Sequence, residues 1–335
     1  MFEIADRLLA AHDSGRPLAV ATAVSIDGSA PRTIGTSMAF DGVAVIGSIA
    51  GGCVEGAVVE QCELVLEDGR SRTVTYGVSD ETALSVGLTC GGELRVLVQL
   101  FTPELESQLR GGRAIASVVS GDAAAHASRI AAEREATTRT GLSLVDCGDE
   151  SLEVFFETAI PQARLIIFGA MEFSAALAAA AHTLGFRVTV CDPRSLFATA
   201  ERFPTAEIEV TWPTEYLETT SLDERTVICV LSHDARFDAE LIAQALALPV
   251  AYVGAMGSRA THDRRIASLL ERGVSHESLE RLHSPIGLDL GASTPEETAI
   301  SILAEIIAAR TGGSAARLTA TTGSIHASSD ATLVQ

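Results

Sequence analysis

The sequence predicts an α/β protein, with an N-terminal mixed α+β domain followed by a parallel-sheet domain. The first half mixes strand-like segments, tight-turn signals and isolated helical stretches. From Arg164 onward, continuous apolar runs alternate with helical patterns, as expected of parallel strands buried on both faces. At 335 residues the chain is long enough for two cores. Pro161-Gln162-Ala163 is the expected boundary between residues 1–160 and 161–312, and the Ser-, Thr-, Ala- and Gly-rich stretch 313–335 is expected to be disordered.

Each element follows from its local pattern. Residues 3–13 carry Ile4, Leu8, Leu9 and Ala11 at helical spacing. Leu18 to Ile26 reads as a strand that ends at Asp27-Gly28-Ser29-Ala30-Pro31. Strands at Ser37 to Phe40 and Val43 to Ile46 flank Asp41-Gly42, a type I′ hairpin signal. Val54 to Glu67 has helical spacing and Asp68-Gly69 stops it. Thr73 to Tyr76 and Glu93 to Phe101 are further strands. Between 102 and 160 the pattern gives a short helix from Pro103 to Gly112 and strands at Ala114 to Val119 and Glu153 to Glu157, separated by polar sequence.

In the second half, Leu165 to Phe168, helix 172–184 and strand Arg187 to Cys191 form a βαβ unit, which makes the domain Rossmann-like. Strands at Thr226 to Leu231 and Val250 to Gly254 alternate with helices at Asp238 to Leu246 and Ala260 to Arg272. Thr294-Pro295-Glu296-Glu297 caps a last helix that runs to Arg310, with threonine at N-cap, proline at N1 and glutamate at N3.

Composition removes several function classes. Net charge is −20, which argues against nucleic acid and against an anionic membrane surface. All 24 basic residues are arginine, so Schiff-base chemistry and a phosphate-binding P-loop lysine are excluded. No apolar run reaches the roughly 18 residues that a bilayer span needs, and the start Met1-Phe2-Glu3-Ile4 does not read as a secretory signal. With six scattered cysteines and no CxxC spacing, a cytoplasmic location with reduced thiols is expected.

Two loops place a cysteine beside paired glycines: Gly47-Ser48-Ile49-Ala50-Gly51-Gly52-Cys53-Val54-Glu55 and Cys90-Gly91-Gly92-Glu93. Glycine permits positive φ and close approach of a ligand. A thiolate there is a soft metal ligand or sulfur carrier. Cys53 precedes a helix, whose N-terminal dipole favours a thiolate. The competing role of both Cys53 and Cys90 is that of a small apolar residue packed beneath its loop. Cys62, Cys191 and Cys229 read as core.

The dinucleotide turn of the second domain is incomplete. Gly169-Ala170-Met171-Glu172-Phe173-Ser174 keeps the first glycine, puts Met171 where the backbone would meet a pyrophosphate, and puts Ser174 at the third position. Asp192 is placed as a ribose acceptor or as a strand-end turn residue. NAD(P) is therefore not expected.

The chain resembles the XdhC/CoxI-type xanthine dehydrogenase accessory factors over nearly all its length. Gly28 to Arg32, Gly47 to Glu55, Cys90 to Glu93, Ser232-His233-Asp234, Tyr252-Val253-Gly254, Gly257-Ser258-Arg259, His283 to Gly291 and Thr294 to Glu305 carry the resemblance. It implies a chaperone that binds the molybdenum cofactor, holds it while its metal gains a terminal sulfur, and passes it to an apo molybdenum hydroxylase of the xanthine or carbon monoxide dehydrogenase type. A cysteine desulfurase and a second copy of the chain are the other expected partners; alanine-rich helix surfaces also suit a homodimer. Met171 and Ser174 depart from the family's glycine-rich turn.

On this reading Cys53 and Cys90 face the cofactor, and Cys53 is the candidate molybdenum or sulfur contact. Ser48 and the amides of Gly51, Gly52, Gly91 and Gly92 form an anion nest, with Arg32 forked onto the pterin phosphate. Glu55 is read as a first-turn residue that complements the helix dipole. In the second domain His233, Asp234 and Arg259 follow strand ends, where open α/β sheets bind ligands, and join Asp192 as candidates. The alternatives are an NAD(P)-dependent oxidoreductase and a docking scaffold whose Cys–Gly loops are structural.

Overall fold

A computed structural model describes residues 1–28, 32–77, 92–122, 124–148, 150–234 and 236–322. Contacts divide the chain into the units Met1–Ile160 and Pro161–Ala320.

In the first unit, a 3₁₀ turn and α1 (Ala5–Asp13) lead into β1 (Ala19–Asp27), β2 (Ser37–Phe40) and β3 (Val45–Gly47). Next come α2 (Glu55–Asp68), β4 (Arg72–Tyr76) and β5 (Glu93–Leu100). These strands form one antiparallel sheet in the order β3-β2-β1-β5-β4. The alternation of β1 explains its two-sided burial. Ala19, Ala21 and Ala23 share a cluster with Val58, Cys62 and Val65 of α2, while Leu18 and Val20 join Met1, Ile4 and Leu8. Alanine on the α2 side leaves room for the helix to approach the sheet.

Three further strands, β6 (Ala114–Ser120), β7 (Gly141–Asp146) and β8 (Ser151–Thr158), form a second sheet in the order β6-β8-β7. They are accompanied by α3 (Pro103–Gly111) and α4 (Ala127–Ala136). The Met1 ammonium group is buried against Glu157 of β8 and also donates to Ser37 Oγ and Gly35 O.

Two expectations for this unit need correction. The Asp41-Gly42 connection is not a two-residue type I′ turn, because Phe40 pairs with Val45 and only Gly42 has positive φ. The Asp41 carboxylate instead accepts the Val43 and Ala44 amides and closes a longer loop. The polar stretch before β8 holds α4 and β7; Ile130 is the buried residue of α4 and Val145 that of β7, so neither has an apolar periodicity to read.

The second unit contains β9 (Arg164–Phe168), α5 (Glu172–Thr183), β10 (Arg187–Cys191), β11 (Glu207–Glu209), α6 (Pro213–Thr219) and β12 (Val227–Val230). It continues with α7 (Asp238–Leu246), β13 (Tyr252–Ala255), α8 (Arg259–Glu271), α9 (His276–Glu280), β14 (Leu282–His283) and α10 (Pro295–Thr311). All six strands are parallel, in the order β11-β10-β9-β12-β13-β14. Numbered within the unit, this is the 3-2-1-4-5-6 order of a Rossmann sheet.

Leu165 and Ile167 face the cluster shared with α5 and α10; Ile166 and Phe168 face the one shared with α7. The capping box at α10 is present, with Thr294 Oγ1 accepting the Glu297 amide and Glu297 accepting the Thr294 amide. Among the described residues no helix is long and apolar enough to cross a membrane.

Candidate functional site

The antiparallel order puts the C-terminal ends of β1, β3 and β4 and the N-terminal ends of β2 and β5 on one edge of the first sheet. The connection holding Arg32, the Gly47–Glu55 loop, and Gly92 at the start of β5 therefore all lie at that edge. From β3 to β5 is three strand spacings, about 14 Å. Cys90 and Gly91 lie outside the described residues, as do Ser29, Ala30 and Pro31. Cys53 is half-buried and packs against the cluster that also holds Ile26, Tyr76 and Leu94, each close to one of these strand ends.

The loop is organised by Glu55. Its Oε1 accepts the Ser48 hydroxyl at 2.6 Å and the Ala50 amide at 3.0 Å. Its Oε2 accepts the Gly52 amide at 2.7 Å and the Val54 amide at 3.2 Å. Ser48 Oγ in turn accepts the Gly51 amide at 3.1 Å. Burial raises the pKa of this carboxyl, but the Ser48 hydroxyl and the loop amides outweigh it and bring the group to about 2. Of the expected anion nest, Ser48 and the Gly52 amide thus bind the chain's own carboxylate, and the Gly51 amide binds Ser48.

Glu55 is the first residue of α2, the first-turn position expected of it, and these bonds add a second role in the loop. Its reach back to the amides of Gly52 and of Val54, the N-cap residue, has no signal in the sequence. Gly51 and Gly52 have φ of +77° and +115°, and among the described residues a Cβ on either would meet no atom within 4 Å beyond its chain neighbours.

Arg32 is taken up elsewhere. Its Nη2 donates to Glu3 Oε2 at 2.6 Å, and the other Glu3 oxygen accepts the Ser37 amide at 3.0 Å. Cys62 and Cys191 are buried, and burial pushes both thiols up to about 12. Cys229 is fully buried and its thiol is also raised. Among the described residues no three His, Cys, Asp or Glu side chains converge as a metal site.

At the carboxyl edge of the Rossmann sheet, Asp192 is 2% exposed. Its Oδ1 accepts the Arg194 amide and Nε, and its Oδ2 accepts Arg194 Nη2 and the Ala170 amide, all at 2.7–2.9 Å. Burial raises its pKa, but these bonds outweigh that and hold it below the usual carboxylate range. Asp234 is likewise tied to Arg236, which holds its carboxyl at about 2. It accepts the Arg236 amide as a turn residue ahead of α7. His233 and Arg259 are exposed.

Met171 does not lie across the turn as expected. Its side chain is half-buried against the α5–α10 cluster, and its φ of −133° is ordinary extended backbone. Ser174 is fully buried and donates to Gly169 O, so it satisfies the close helix–strand contact of the third glycine. Gly169 has φ +107°, and a Cβ there would stand 2.8 Å from Ser232 N. Ser232 hydrogen-bonds Asp238, whose carboxyl is raised by burial. Arg265 is buried, and its guanidinium reaches Ser284 Oγ and Met256 O. Neither Asp238 nor Arg265 stands out in the sequence. At the other end of the sheet, a polar groove of about 650 Å³ is lined by Arg164, Arg187, Glu207, Glu209 and Tyr216 among others.

Comparison with known proteins adds to this geometry. Residues 11–77 match the model of the XdhC and CoxI family, and residues 165–306 match that of the XdhC Rossmann domain. A Bacillus subtilis (strain 168) protein, named as one of the probable xanthine dehydrogenase subunits, is 30% identical over 87% of this chain and 92% of its own length. The Escherichia coli (strain K12) molybdenum cofactor insertion chaperone PaoD is 26% identical over 89% of this chain and 85% of its own length. A Bacillus halodurans crystal structure described as a xanthine dehydrogenase superposes with a TM-score of 0.69 at 26% identity, covering 91% of this chain and 95% of that one. The chain belongs to the XdhC and CoxI family, and its second unit is an XdhC Rossmann domain.

Proposed function

We propose that this protein is a maturation chaperone for a molybdenum hydroxylase. It binds the molybdenum cofactor at the Cys53 loop, holds it during sulfuration and delivers it to an apo-enzyme of the xanthine or carbon monoxide dehydrogenase type. One observation carries this reading: a half-buried thiol on a preformed loop, beside two glycines whose Cβ positions meet no described atom within 4 Å beyond their chain neighbours. The name of PaoD and that of the B. subtilis relative support the same role.

The loop fits one end of the cofactor better than the other. A soft sulfur ligand suits molybdenum or a transferable sulfur, whereas the amides that would receive a phosphate already hold Glu55. When bound, the cofactor supplies a metal centre that takes a terminal sulfur. The chain's part is to present Cys53, exclude water on its packed side and leave the Gly51–Gly52 side clear for entry. A cysteine desulfurase is the sulfur donor in this scheme, and the chaperone works as a homodimer. Light scattering at micromolar concentration is expected to give the mass of two chains, and a one-chain mass refutes the dimer.

The test is to purify the protein, assay the released pterin and activate an apo-hydroxylase with it. Cys53→Ala is expected to lose cofactor retention and activation together. A cofactor-free wild type, with Cys53→Ala still supporting maturation, would leave only the docking scaffold. An NAD(P)-dependent oxidoreductase is disfavoured because both oxygens of Asp192 are engaged by Arg194 and Ala170; micromolar binding in an NAD(H) titration would restore it.

A further inference from the structure

Building on the reading of Cys53 as the residue that meets the ligand, we infer that Glu55 is its positioning residue. The amides on either side of Cys53, those of Gly52 and Val54, end on the same oxygen of Glu55. The second oxygen gathers Ser48 and Ala50. These bonds run backward from α2 into the loop. One of them reaches the N-cap amide of Val54, as a capping glutamate does, and the others lie further back, at Ser48, Ala50 and Gly52.

Ile49, Ala50 and Val54 anchor the loop in the cluster shared with α2, and the Glu55 bonds fix the stretch between these anchors. Gly51 and Gly52 are exposed, adopt left-handed conformations and, among the described residues, touch nothing beyond their chain neighbours on their Cβ side. Glycine is the residue with most freedom to lose on ordering. One carboxylate accepting the amides on both sides of Cys53 therefore helps to set where its backbone sits. Because that carboxylate already takes the Ser48 hydroxyl and the amides on both sides of Cys53, the ligand meets Cys53 through a sulfur-seeking atom, and its oxyanion groups are held by other residues.

The experiment uses the full-length protein. Iodoacetamide is applied at one fixed pH, and alkylation of Cys53 is followed in its peptide by mass spectrometry. Cys147, also half-buried, is the internal standard. Glu55→Gln keeps the length of the side chain but loses the charge and one acceptor oxygen. It is expected to speed Cys53 alkylation about tenfold, by favouring local opening of the loop, with Cys147 unchanged. Glu55→Asp keeps the charge and is expected to return the rate to within about threefold of wild type.

A wild-type rate in Glu55→Gln overturns the inference, and so does an equal acceleration in Glu55→Asp. Should Glu55→Gln fail to fold, Ser48→Ala carries the test, since it removes one donor to the carboxylate and the acceptor of the Gly51 amide. About threefold acceleration then supports the assignment, and a wild-type rate overturns it. The readout needs no cofactor, so it stays distinct from the proposed function. If Cys53→Ala retains cofactor, the reading of Cys53 as the ligand contact falls while the alkylation result stands.

Discussion

Gly169 and Gly185 bracket helix α5 and differ in one decisive respect. Both have positive φ, +107° and +84°. A Cβ at Gly185 would meet nothing within 4 Å, whereas one at Gly169 would lie 2.8 Å from Ser232 N and 3.1 Å from Ser232 Cα. Those are backbone atoms at the end of β12, so they cannot swing aside as a side-chain tip can. Gly185→Ala is expected to cost only the left-handed penalty, about 1 kcal/mol. Gly169→Ala adds overpacking of about 1–3 kcal/mol to a similar or larger strain, for roughly 3 kcal/mol or more in all.

At about 2–4 °C per kcal/mol for a unit of this size, the melting temperatures are expected to fall by about 3 °C and about 10 °C. Trp212, the single tryptophan, packs edge-on against Phe237 at 5.1 Å and lies under Arg236, so its fluorescence follows unfolding of this unit. Urea titrations of the two variants should show well-separated midpoints. Coincident midpoints would refute the clash.

Two further perturbations test interactions within the units. Glu305 accepts Tyr252 OH and the Gly287 amide and lies 3.4 Å from His283 Nδ1; burial raises its pKa, but these partners outweigh it and lower the pKa from its ordinary 4.5. Its contribution is therefore present above pH 4.5 and lost as pH falls below it. Acid unfolding followed by Trp212 should show a shallower pH dependence in Glu305→Gln than in wild type, and an unchanged slope contradicts the assignment. In the first unit, Arg95 of β5 grips Glu153 of β8 through two bonds of 2.7 Å. A double-mutant cycle is expected to give about 0.5–1.5 kcal/mol for this partly exposed pair, less at high salt. A coupling energy of zero would make the contact ornamental.

Elements with an apolar signature are legible in the sequence. Helix α7 has the bounds its periodicity predicts, and α10 starts at the capping box. What escapes is short, polar or at an edge. Strand β11 is Glu-Ile-Glu and β14 has two residues, too little for any pattern; both edge strands are identified by their backbone pairing to β10 and β13.

The candidate site shows the same division. The Cys–Gly loop stands out by composition, and its place at a sheet edge follows once the register is known. The bonding inside it does not follow, because a glutamate beside a helix start can face either the helix or the preceding loop. Arg32 illustrates the converse problem: in a chain with 44 acidic residues, an arginine at a turn finds a nearby carboxylate, here Glu3. Asp192 has the strand-end position its sequence context predicts, but its pairing with a residue two positions on is a short-range choice the pattern does not disclose.

The central pairing of the first sheet bears on how the protein is made. Strand β1 meets β5 in a register that joins Ala19 to Leu100 and Asp27 to Glu93. The edge that holds the Cys53 loop and Gly92 is therefore assembled by closing a loop of about 65 residues, a slow and entropically costly event compared with forming a hairpin. A nascent chain that has not yet released β5 from the ribosome already contains Cys53, Glu55 and both of the Gly51–Gly52 pair, but not the strand that completes their support. The thiol is thus synthesised early and housed late, and in that interval its protection falls to its surroundings rather than to the fold.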